Sequence, residues 1–238
     1  MQRANRKGEI EGLAATLVVV WAIAGSAILR QQVSTRVLFV GNSLTAANDL
    51  PSRLRELSLA DGDGWETSAI AYPNYSLEDH WQHGDATRAI ADGHWTFVVL
   101  QQGPSALPES RALLVDFTRR FDSAIRAGGG RTALYMVWPA GSRRGDFPGV
   151  SQSYAAAAAA VSGLLLPVGD AWQAAWREDP RLPLYGDDGF HPSRLGTALG
   201  AIVIYEHLAG RVVRRVPSDW SLTAEQRALL LRAAARTR

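Results

Sequence analysis

From about residue 35 onward the chain alternates short strand-like runs, most of them apolar, with helix-length segments, and this alternation restricts the folds open to it. The runs cover residues 37–40, 65–72, 95–101, 132–138 and 165–168. Turn residues punctuate them, as in Asp61-Gly62-Asp63-Gly64 and Gly128-Gly129-Gly130. Asn48 or Asp49 can cap a helix that has Pro51 in its first turn and runs to about Ala60. Ser76 can cap a second helix reaching about Ala91, and Pro108 and Glu109 open a long one that ends at Gly128. The alanines at 155–160 favour helix by propensity. Residues 170–179, 193–209 and 223–235 read as further helices. Strands separated by helices pair in parallel through right-handed crossovers. The apolar third and fourth runs suit a sheet covered on both faces. The expected class is therefore α/β, with ligands bound beyond the carboxyl ends of the strands. Ser43, Asn74, Gln102 and Trp138 fall at or just after such ends.

A different kind of segment precedes this pattern. Residues 13–29 carry no charge, with Arg3, Arg6 and Lys7 before them and Arg30 after. The run lies at the short end of what spans a bilayer. It also suits a secretory signal, for which Ala22-Ile23-Ala24 is a small-x-small cleavage site. A core helix is rarely uncharged on every face. Signal anchor and cleaved signal both export the rest of the chain, because the basic flank stays inside. Residues 1–34 thus read as targeting segment and linker, and 35–238 as one domain large enough for a sizeable core. The expected location is outside the cytoplasm, membrane-anchored if the segment is uncleaved and secreted if it is cleaved.

The chain has no cysteine, which excludes disulfides, thiolate nucleophiles and cysteine-ligated zinc. Its net charge of +2 is too small and too scattered to argue for nucleic acid. Arg227, Arg232, Arg236 and Arg238 read as a solvated helix face.

Two short segments carry the chemistry. Gly41-Asn42-Ser43-Leu44-Thr45 follows the first apolar run and places Ser43 in the sharp turn at its end. Asp188-Gly189-Phe190-His191-Pro192 sets a carboxylate and an imidazole three residues apart, just before a helix. Serine, histidine and acid are the parts of a nucleophilic hydrolase. At these residues the sequence resembles the SGNH (GDSL-like) hydrolase superfamily. Gly41-Asn42-Ser43-Leu44 is similar to its Gly-Asp-Ser-Leu block, and Asp188 with His191 to its Asp-x-x-His block. The resemblance spans about residues 36–209. It implies a flavodoxin-like three-layer α/β/α sandwich with a mostly parallel five-stranded sheet. It also implies carboxylic ester substrates, including O-acetyl groups on sugars and short acyl chains, and no cofactor or metal.

On this reading Ser43 attacks the carbonyl, His191 moves the proton and Asp188 orients the imidazole. The Ser43 N–H is one candidate oxyanion donor. The superfamily takes two more donors from a glycine block and an asparagine block, and here the sequence departs from it. Pro73-Asn74-Tyr75-Ser76 stands where glycine is usual, and points to Asn74, or else to the Ser76 amide. Gln101-Gln102-Gly103-Pro104-Ser105 stands where Gly-x-Asn-Asp is usual, and resembles a Gln-Gly variant of some carbohydrate acetylesterases. It points to Gln102 as side-chain donor, with Gln101 as the alternative. An O-acyltransferase acting on a sugar would use the same triad, and a non-catalytic binding domain could keep the same fold.

Other polar residues invite plainer readings. His80 and His83 lie three apart beside Asp79, but no third ligand is evident, so helix surface or packing is expected rather than metal. Trp138, Trp172 and Trp176 are expected to pack rather than line a site. Arg143 and Arg144 read as solvated loop residues. No Gly-x-Ser-x-Gly elbow and no phosphate-binding loop are present.

Overall fold

The strand that leads to Ser43 lies near the middle of the sheet, buried on both faces. This is β1 (Arg36–Gly41), and after its first residue every position is buried. The computed structural model describes residues 34–238. The uncharged run at 13–29, with the export signal or anchor expected there, lies outside the described residues. Among the described residues no helix is long and apolar enough to cross a membrane.

Four more strands join β1: β2 (Glu66–Ala71), β3 (Phe97–Leu100), β4 (Arg131–Tyr135) and β5 (Leu164–Leu166). Their order is β2-β1-β3-β4-β5 and every pairing is parallel. The helices are α1 (Ser43–Ala46), α2 (Leu50–Asp61), α3 (Leu77–His83), α4 (Asp85–Asp92), α5 (Pro108–Ala127), α6 (Phe147–Ala160), α7 (Val168–Glu178), α8 (Arg194–Ala209) and α9 (Ala224–Ala235). Helices α2, α7, α8 and α9 pack on one another, and α3 to α6 form a second group. The result is the expected three-layer α/β/α sandwich. Val37, Phe39, Val98 and Leu100 are fully buried between the layers. Burial of each such side chain contributes about 1.5–3 kcal/mol.

Strand order reverses between β1 and β3, so the chain departs in opposite directions from their carboxyl ends and leaves a crevice there. Ser43 follows β1 and Gln102 follows β3, so both stand at its rim.

The structure refines three expected elements. The helix expected from Ser76 to Ala91 is two helices, α3 and α4, because Gly84 adopts φ +86° and breaks the ladder. The fourth strand ends at Tyr135 rather than at Trp138. The loop at 139–149 contains a 3₁₀ segment, Gly141–Asp146, and gives its last residues to α6, whose first turn holds a proline.

Candidate active site

The turn after β1 is built around Asn42. Asn42 caps α1, its Oδ1 accepting the Leu44 N–H at 3.1 Å. Its Nδ2 donates to the Tyr75 carbonyl at 3.0 Å, which ties the turn to the loop after β2. Gln101, fully buried at the end of β3, supports it from below. Gln101 Oε1 accepts the Asn42 N–H at 2.9 Å and the Thr45 hydroxyl at 2.7 Å. Gln101 Nε2 donates to Asn42 Oδ1 at 3.0 Å and to the Gln102 carbonyl at 2.6 Å. Gly41 leaves room for this cluster: a Cβ there would collide with Thr45 Oγ1 and Gln101 Oε1.

Ser43 therefore stands at the first position of α1, half-buried, with its hydroxyl facing a loop from the far end of the chain. Its Oγ lies 2.9 Å from His191 Nε2. His191 Nδ1 lies 2.6 Å from Asp188 Oδ2. Asp188 only accepts, so Nδ1 carries the proton and Nε2 is the bare acceptor turned to Ser43. Asp188 Oδ1 also accepts the Phe190 and His191 N–H groups, each at 2.9 Å. The His191 hydrogen bond, followed by these backbone bonds, holds the Asp188 carboxyl well below the usual carboxylate range, at about 2. The carboxylate is thus ionised wherever His191 needs it.

The acid–base loop is fixed largely through its backbone. Gly141 N–H donates to the Gly189 carbonyl at 2.8 Å, and Gly186 N–H to the His191 carbonyl at 2.8 Å. Gly189 makes the bend with φ +67°. Asn48 Nδ2 holds the Pro192 carbonyl at 2.8 Å. Trp138 is fully buried and donates its indole N–H to the Phe190 carbonyl at 3.0 Å. Its ring stacks on Trp172 with centroids 3.6 Å apart. These two tryptophans pack, as expected, and Trp176 lies half-buried against Arg144.

The expected oxyanion residues meet different outcomes. The Ser43 N–H makes no hydrogen bond among the described residues. Asn74 has φ +62°, the left-handed region that glycine ordinarily fills and asparagine tolerates, and its N–H is likewise unbonded. Gln102 is placed otherwise than expected. Its Oε1 accepts the Leu77 N–H at 3.2 Å. Its Nε2 donates to Ser105 Oγ at 2.8 Å and to the Ser110 carbonyl at 3.3 Å. Both amide hydrogens are thus committed, and neither is left for an oxyanion. Gln101 is equally engaged beneath the turn. The next residue, Gly103, has an unbonded N–H and open space where a Cβ would stand. Ser76 spends its N–H on Asp79 Oδ2 at 2.8 Å, inside the capping box of α3. His83 pairs with Asp85 at 3.0 Å, while His80 turns inward, away from both.

A cleft of about 260 Å³ reaches Phe190, the residue before His191, though neither Ser43 nor His191 lines it. Its lining comes from the loop after β3 and the start of α5 (Pro104 to Leu107 and Ser110), from the loop after β4 (Pro139, Ala140, Arg143 and Asp146) and from Phe190. The lining is mostly apolar, and Arg143 and Asp146 pair with each other at 2.6 Å.

Similar folds occur among solved structures. A protein of Slackia heliotrinireducens assigned to the SGNH hydrolases is 29% identical, with 74% of this chain and 99% of that one covered and a TM-score of 0.63. The chain's likeness to the SGNH (GDSL-like) hydrolase superfamily is thus seen in its structure as well as in its sequence. Two more distant structures share its fold. A DUF4886 family protein of Bacteroides uniformis is 20% identical, covering 86% of this chain and 94% of its own, at a TM-score of 0.70. A lipase/acylhydrolase of Enterococcus faecalis is 16% identical, covering 74% and 96%, at 0.59. No protein-family model and no curated protein sequence matches the chain. That likeness supports a hydrolase.

Proposed function

We propose that this chain is a serine esterase that cleaves carboxylic esters through an acyl-enzyme on Ser43. Short acyl esters and O-acetyl groups on sugars are its substrate class. One observation carries the reading: the continuous hydrogen-bonded line from Ser43 Oγ through His191 to Asp188. As Ser43 Oγ bonds to the carbonyl carbon, His191 Nε2 takes its proton. His191 returns that proton to the leaving alkoxide as the ester C–O bond breaks. Water then repeats the sequence and releases the acid and the free serine. Asp188 stays ionised and stabilises the imidazolium in both halves.

The tetrahedral oxygen is received by backbone donors. The free N–H groups of Ser43, Asn74 and Gly103 stand on three neighbouring loops, and amides that point at developing charge are worth most where they need no rearrangement. The cleft of about 260 Å³ has room for a short acyl group, which supports that substrate class. Export belongs to the same proposal and rests on the uncharged residues 13–29 behind Arg3, Arg6 and Lys7.

A fluorophosphonate probe tests the mechanism. The expected result is one phosphonyl adduct per chain, mapped to Ser43, and its absence in Ser43→Ala. Failure of the folded wild-type chain to react leaves a binding domain as the alternative. Turnover of nitrophenyl esters should then fall steeply as the acyl chain is lengthened beyond a few carbons.

A further inference from the structure

The peptide unit joining Gly41 to Asn42 is gripped at both polar ends by side chains from other elements. Its N–H donates to Gln101 Oε1 at 2.9 Å. Its carbonyl, that of Gly41, accepts from His80 Nε2 at 2.6 Å, besides the Tyr72 N–H at 3.2 Å. His80 is only 1% exposed. A carbonyl only accepts, so Nε2 carries the hydrogen and Nδ1 is bare. Nδ1 is buried and has no hydrogen-bond partner among the described residues. The imidazole is therefore placed for one contact, and that contact is to the residue two before Ser43.

We infer that His80 is a positioning residue for Ser43, acting through the Gly41–Asn42 peptide. The inference rests on Ser43 being the nucleophile. With its carbonyl held by His80 and its N–H by Gln101, this peptide plane has no freedom to rotate. The plane sets where α1 begins and hence where Ser43 Oγ and the Ser43 N–H point. Small misplacements of a nucleophile are costly, since about 1 Å can lower a rate by roughly 10²-fold.

The surroundings keep the ring neutral. Tyr72 stacks on it at 5.7 Å and Tyr75 meets it edge-on at 5.1 Å. Asp79, His83 and Asp85 are the nearby titratable groups. Burial lowers the His80 pKa, and this outweighs the Gly41 carbonyl and the two carboxylates, which act the other way. Protonation would put a hydrogen on Nδ1 with nothing to receive it.

Three substitutions separate positioning from ring packing. Glutamine can place an amide nitrogen where Nε2 stands, asparagine falls short of it, and leucine fills space without a donor. His80→Leu is expected to lower kcat and the rate of fluorophosphonate labelling by roughly tenfold or more, with KM within about twofold. His80→Gln should restore most of that loss, and His80→Asn should not. If Leu fails to fold, the Gln and Asn variants still decide. Equal activity in Gln and Asn, or wild-type kcat in a folded Leu variant, overturns the inference. Amide hydrogen exchange at Asn42, Leu44 and Thr45, whose N–H groups are bonded, provides an activity-independent readout: it should rise roughly tenfold in His80→Leu or His80→Asn and stay near wild type in His80→Gln. Unchanged exchange in the Leu and Asn variants overturns the positioning role even if Ser43 reacts. A wild-type chain that never labels overturns the esterase reading and leaves the exchange result to judge His80 alone.

Discussion

The two halves of the candidate triad are held in different ways. The nucleophile turn, residues 41–45, rests on buried side chains: Gln101 makes three hydrogen bonds to it and His80 a fourth. The acid–base loop, residues 186–193, lies at the surface, with His191 and Asp188 side chains 39% and 52% exposed. It is shaped mainly by backbone-to-backbone bonds and one bend at Gly189. A buried polar cluster costs free energy when any member is left unpaired, whereas a backbone-shaped loop tolerates changes of side chain. The nucleophile half should therefore be the sensitive one outside the triad itself.

The largest effect is common to both halves. Ser43→Ala and His191→Ala should each lower ester turnover by roughly 10³-fold or more, and the double variant should be no worse than either. Near wild-type turnover by purified, folded Ser43→Ala would remove the basis of the comparison.

The next two substitutions set the halves against each other. Gln101→Leu leaves the Asn42 N–H, the Thr45 hydroxyl and Asn42 Oδ1 short of partners in the interior. At about 1–3 kcal/mol per buried unpaired group, the thermal midpoint should drop by several degrees or more, and kcat by roughly 10²-fold. Trp138→Phe removes one bond to the acid–base loop and keeps most of the stacking. It should cost about 0.5–1.5 kcal/mol of stability and change kcat by no more than about threefold. Equal losses from the two would break the contrast.

Gln102→Ala sharpens it further. The Gln102 amide joins the loop after β3 to the start of α3, so the variant should lose thermal stability while kcat stays within about threefold. A kcat loss of roughly 10²-fold at an unchanged melting midpoint would return that amide to the oxyanion.

The smallest effect concerns pH. Asp188 titrates at about 2 in the folded chain, below the roughly 3.9 of an unfolded aspartate. A lowered folded value contributes stability that is present above the unfolded value and is lost as pH falls toward 2. Asp188→Asn should flatten the decline of stability between about pH 4 and 2, as read by urea unfolding. The residue is exposed, so the change should be slight. A steeper decline in the variant would contradict the assigned direction.

How much of this was legible in the sequence follows from how local each signal is. Four of the five strands announce themselves as apolar runs, and both triad segments are contiguous motifs rich in turn residues. The departures lie where orientation depends on another loop. Gln101 and Gln102 are chemically identical neighbours, and only their different partners, Asn42 and Leu77, separate their roles. His80 and His83 read alike on one helix, in surface or packing roles, and spacing alone does not say which histidine takes which. The burial of Leu77 and His80 on the inner face of α3 assigns the packing role to His80. Asn74 looked like a missing glycine. In the structure it adopts the left-handed conformation that glycine would supply, and asparagine pays little there.

The open setting of His191 bears on what happens after acylation. An acyl group on Ser43 would sit beside a base that solvent already reaches. Dissolved alcohols could then approach the acyl carbon along the same path as water. Partition between hydrolysis and transfer would follow the concentration and affinity of the acceptor, with no gating motion of the acid–base loop required. Turnover should be correspondingly insensitive to solvent viscosity, and polymer-borne esters should be as accessible as small ones.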